Sequence, residues 1–62
     1  MTFTELNTYA KEMMKLHPEL QEDILGFVDL AEMEIEDGEP ERHECELAAS
    51  DIEELINTKE NG

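Results

Sequence analysis

The stretch "PELQEDILGFVDLAEMEIEDGEP", residues 18–40, decides the fold. Leu20, Ile24, Phe27, Val28, Ala31 and Ile35 recur at three- and four-residue steps, the period of one face of an α-helix. Pro18 suits the first turn, where its missing N–H costs nothing. Glu19, Glu22 and Asp23 lie at the positive end of the helix dipole. Gly38 supplies a stop at the far end. A helix over 18–37 follows. Gly26 sits inside it at a cost of about 1 kcal/mol against Ala, which the sequence explains by a close crossing of another helix at that point rather than by a functional hinge.

Upstream, "TFTE" places Thr2 and Glu5 at the spacing of a capping box. Phe3, Leu6, Tyr9, Ala10, Met13, Met14 and Leu16 then share one side of a helix over 3–16. His17 ends it, because a residue before proline avoids the α region. Downstream, Cys45, Ala48, Ala49, Ile52, Leu55 and Ile56 mark a third helix over 41–57, and the small residues at 48 and 49 favour close packing. Residues 58–62 read as a flexible tail. No alternating run of β-branched residues competes with these helices. The expectation is one all-α domain over 1–57, a small three-helix bundle with short connections.

Leu25 and Met33 fall off the apolar stripe of the second helix, and Leu47 lies opposite that of the third. A chain of 62 residues hides only about 60% of the surface its unfolded form exposes, and the single Cys45 can form no internal disulfide. A homodimer that completes the core through Leu25 and Met33 is therefore one expectation. One free thiol suits a reducing, cytoplasmic setting. The N-terminus has no basic segment followed by an apolar core, so no signal peptide is read there. The longest apolar run, "ILGFV", is far short of the roughly 20 residues a membrane span needs, which leaves a soluble chain without a membrane partner.

Charge is the outstanding feature. Eighteen acids against four bases give −14, and the second half carries most of it. Residues 1–31 hold six acids and two bases, net −4, whereas residues 32–62 hold twelve and two, net −10. Such a chain is repelled by nucleic acid and anionic lipid and attracted to basic proteins or cations. A net charge of about 2–8 suffices for solubility in a small domain. The excess strains the compact state by self-repulsion, and binding a basic surface would offset that strain.

The densest acidic segment, "EIEDGEPERHE" at 34–44, fails as an EF-hand. With Gly38 at the sixth position, Met33 and Ile35 occupy positions where oxygen ligands are required. His43 and Cys45, two apart on a helix, point about 200° from each other and share no zinc ion. No spacing orients a histidine toward the thiol for nucleophilic catalysis. The expectation is accordingly no enzyme, no metal and no cofactor. "ASDIEELI" at 49–56 slightly resembles the serine-bearing helix of acyl carrier proteins, but Ser50 follows Ala49 rather than an Asp and lies mid-helix, so that function is not carried over.

Three readings remain. In the first, a non-enzymatic helical protein inhibits a basic, nucleic-acid-binding protein by imitating the charge of DNA or RNA. It would make contact through Glu34, Glu36, Asp37, Glu39, Glu41, Glu44 and Glu46, where only Arg42 dilutes the acids. Phage-encoded inhibitors of host enzymes include small acidic proteins of this kind, an analogy of size and charge with no motif behind it. In the second, a small structural or regulatory subunit docks on itself or a larger protein through Leu25, Met33 and the Met-rich first helix. In the third, a helical module folds when cations screen its carboxylates.

Overall fold

A computed structural model describes residues 1–61. It contains α1 (Phe3–Leu16), a 3-10 turn (Pro18–Leu20), α2 (Gln21–Glu36) and α3 (Glu41–Asn61), with no strand among the described residues. The three helices pack pairwise into an all-α bundle with extents of 35 × 18 × 17 Å. None of them is long and apolar enough to cross a membrane.

The capping box forms as the Thr2/Glu5 spacing implies. The Glu5 N–H donates to Thr2 Oγ1 at 3.2 Å, and the Thr2 N–H donates to Glu5 Oε1 at 2.8 Å. His17 leaves the helix at φ −130°, ψ 70°, outside the α region that a following proline disfavours. Pro18 then opens a 3-10 turn rather than α2 itself, which begins at Gln21. At the other end Gly38 takes φ 103°. Its N–H donates to the Ile35 carbonyl, and the Glu39 N–H donates to the Glu34 carbonyl, each at 3.0 Å. These two bonds make a Schellman motif, and the positive φ is the reason a glycine stands there.

The core is assembled from the three expected stripes. Leu6, Ala10, Leu20, Ile24, Val28, Ala31, Cys45, Ala48, Ile52 and Ile56 are buried, with Phe3, Tyr9, Met13, Met14, Phe27, Ile35, Ala49 and Leu55 packed against them. Leu25, Met33 and Leu47 remain exposed, as their helical positions imply.

Besides the later start of α2, four features differ from the expectation or go beyond it. Leu16 is exposed, because it lies on the last turn of α1 and about 80° to one side of Leu6. Leu30, not singled out in the sequence, is exposed as well. α3 continues through residues 58–61, which the sequence reading assigned to a flexible tail; Gly62 lies outside the described residues. Gly26 marks no helix crossing: a Cβ added there would meet nothing within 4 Å. The glycine faces open space on the outer side of α2.

Candidate functional site

A four-residue turn, 37–40, reverses the chain between α2 and α3 and sets the two helices side by side and antiparallel. Residues equally far from the middle of that turn come opposite each other. Leu30 and Leu47 are such a pair, and so, within one residue, are Glu34 with Glu44 and Phe27 with Asp51. All six line one groove between α2 and α3, a cleft of about 170 Å³ to which α1 contributes no described residue. The side chains of Phe27, Leu30 and Leu47 form its apolar part, and Glu34, Glu44 and Asp51 its acidic rim. A second cleft continues it from Phe27 and Asp51 to Glu54, Leu55 and Thr58.

The seven acids expected to act together are distributed over four places, with Glu41 apart from the rest at the N-terminus of α1. Glu34 and Glu44 are half-buried in the α2–α3 groove. Glu36, Asp37 and Glu39 are exposed around the turn that closes one end of the bundle. Glu46, two residues from Glu44, points about 200° away from it and lines the opposite groove with Met1, Tyr9 and Glu53. Arg42 lies 3.9 Å from Glu46, one helical turn apart and exposed, so the single cation of the segment faces away from the α2–α3 groove's acids.

Glu41 has a separate role. Its Oε2 accepts from the Phe3 N–H at 2.7 Å across 38 residues of sequence. The carboxylate therefore sits at the N-terminus of α1, where a helix has unsatisfied N–H groups and partial positive charge. It ties the first turn of α3 to the first turn of α1. Spacing along one helix could not reveal this, since it depends on how two helices meet.

Local electrostatics follow from these placements. Hydrogen bonds from the Thr2 backbone and then the Thr2 hydroxyl hold the Glu5 carboxyl below its usual range. Burial raises the Tyr9 phenol, and the nearby charge of Glu53 adds to it. Burial also raises the Cys45 thiol, with Glu41 and Glu44 adding to the effect. Cys45 is fully buried, so its sulfur behaves as a small apolar group and presents no nucleophile at the surface. His17 lies 3.7 Å from Glu19 and 3.9 Å from Glu60, which brings the last turn of α3 to the α1–α2 corner. His43 is exposed beside Glu44 at 4.0 Å.

Among the described residues no three His, Cys, Asp or Glu side chains are grouped so as to hold a metal ion. Ser50 is exposed midway along α3. Leu25 borders a cleft with Pro18, Glu19 and Glu22, and Met33 is exposed further along α2. The arrangement is suited to binding through carboxylates and an apolar groove. Leu30 was legible in principle: it stands as far before the middle of the 37–40 turn as Leu47 stands after it. No family model matches this chain, and comparison with curated proteins and with solved structures finds none similar to it.

Proposed function

We propose that this chain is a non-enzymatic binding protein that occupies the basic site of a nucleic-acid-binding protein and inhibits it by presenting negative charge in place of DNA or RNA. One observation carries the reading: the amount of charge for the length. The bundle is 35 Å long and carries −14, or one net negative charge per 2.5 Å (35/14). Duplex DNA carries one per about 1.7 Å of axis. The two linear densities agree within a factor of two, and a surface built to bind one polyanion would attract the other.

Packing also supports the reading over the alternative of a subunit that docks through α1. The apolar residues of α1 turn inward, with Leu6 and Ala10 buried and Phe3, Tyr9, Met13 and Met14 packed on the core. Only Leu16 is left strongly exposed on that helix's apolar side. Leu25 and Met33 keep the alternative testable, because both are exposed on α2.

The test has two stages. Host proteins retained on the immobilised chain are eluted between about 50 and 300 mM NaCl, the range over which screening removes contacts between exposed charges. The eluted protein is then titrated against labelled duplex DNA or RNA with the chain as competitor. The proposal expects release by salt and competition for the same site. Retention insensitive to salt, or simultaneous binding of chain and nucleic acid, would overturn it. Loss of binding in Leu25→Asp or Met33→Asp, with Glu36→Lys and Glu39→Lys harmless, would favour the docking subunit.

A further inference from the structure

The α2–α3 groove is narrower in meaning than the general negative field. Apolar residues line it along its length, where Leu30 and Leu47 are about half exposed, at 53% and 49%. Among the described residues α1, on the other side of the bundle, contributes none to the groove's lining. Carboxylates stand along both edges, with Glu34 on α2 and Glu44 and Asp51 on α3. Among the described residues neither Glu34 nor Asp51 has an ion-pair partner, and Glu44 pairs only with His43, at 4.0 Å, which counts only when protonated.

We infer that this groove receives one amphipathic helix of the basic partner, with apolar side chains seated between Leu30 and Leu47 and lysines or arginines reaching the carboxylates on both edges. The inference rests on the charge-mimic reading above and specifies the element that is recognised. Geometry selects a helix: the groove between two antiparallel helices is where a fourth helix packs to complete a four-helix bundle. Charge selects its composition. A second copy of this chain would bring another −14 to the same rims, and like charges facing each other across an interface oppose association. A cationic helix meets both the apolar floor and the acidic edges.

The probe is a synthetic helix of about 18 residues, five turns long, with leucines at three- and four-residue steps and lysines elsewhere. A peptide of the same composition but scrambled, lacking the stripe, serves as comparison. Binding is read by fluorescence anisotropy at low and moderate salt, and helicity of each variant is checked by circular dichroism. The striped peptide should bind at least about ten-fold more tightly than the scrambled one, as expected when a central apolar anchor contributes beyond charge. The double variant Leu30→Ser, Leu47→Ser should remove that advantage. The double variant Glu36→Lys, Glu39→Lys, at the turn, should change it by only about three-fold through the general field.

Equal binding of striped and scrambled peptides, unaffected by the leucine variant, would overturn the groove while leaving charge mimicry standing. Absence of binding by either peptide at low salt would overturn both. Sedimentation as a dimer that Leu30→Ser, Leu47→Ser dissociates would assign the groove to a second copy and overturn the inference.

Discussion

α3 has two flanks, and they use the same residue type differently. On the flank toward α1, acids act within the chain: Glu41 accepts from the Phe3 N–H, Glu46 lies beside Arg42, and Glu53 adds to the rise that burial gives the Tyr9 phenol. On the flank toward α2, Glu44 and Asp51 join Glu34 around exposed leucines with no fixed cation nearby. A count of carboxylates treats the two flanks as one field. The difference between them teaches that a helix two residues further on presents its charge to another neighbour, so density in sequence is not density in space.

The largest effect should come from removing what holds both flanks in place. Ile52 is fully buried on the inner face of α3, and Ile52→Ala should cost about 2–5 kcal/mol. In a domain of this size each kcal/mol lowers the midpoint by about 4–8 °C. Thermal melts followed by circular dichroism check this, and a shift of a few degrees would mean that the core holds the flanks less firmly than its burial implies.

Next in size is the contrast between flanks themselves. Glu34→Lys with Asp51→Lys should weaken binding of a cationic helix by about 1.4–2.8 kcal/mol, ten- to a hundred-fold. Glu46→Lys with Glu53→Lys should weaken it far less. Equal losses from the two pairs would erase the distinction drawn here.

A smaller effect separates Glu41 from its neighbours. Glu41→Ala removes the acceptor at the N-terminus of α1 and should lower stability by about 1 kcal/mol, the usual scale for a lost helix cap. Glu46→Ala, whose exposed pair with Arg42 contributes a few tenths of a kcal/mol, should leave the melt nearly unchanged. On the outer face of α2, Gly26→Ala should raise stability by about 0.5–1 kcal/mol, since the added methyl meets only solvent.

The smallest differences appear with pH. The folded value of Glu5 is depressed, so its contribution is present above its unfolded value near 4.5 and lost as pH falls through the folded value. The margin of the unmodified chain over Glu5→Gln should therefore shrink in acid melts. Cys45 and Tyr9 are raised, so stability is full below about 9 and 10, their ordinary values, and declines as pH rises through the folded ones.

How far the sequence carried these conclusions varies by element. The capping box, the three stripes and the stop at Gly38 are local signals, and each stands where its spacing puts it except Leu16, which is exposed at the end of the first stripe. The end of α3 is not legible in the sequence because apolar periodicity reports the buried face and falls silent after Ile56, whereas the backbone continues helical to Asn61. The surroundings of Gly26 are not legible either, because a single helix cannot say whether a bare position faces a neighbour or water. The acids of 34–46 were located along the chain, but their division into groove, turn and opposite flank depends on the antiparallel register of α2 and α3. Leu30 and the cap from Glu41 belong to that same class of information.

All of this presumes that a chain with so many like charges keeps its helices packed under ordinary conditions. Far-UV circular dichroism at neutral pH and about 150 mM salt, where the screening length is about 8 Å, addresses that most directly. The account predicts a strongly helical spectrum that melts in one cooperative step and gains stability as salt rises. A spectrum of mostly unstructured chain under those conditions would contradict it, because carboxylates on a disordered strand line no groove and hold no fixed spacing.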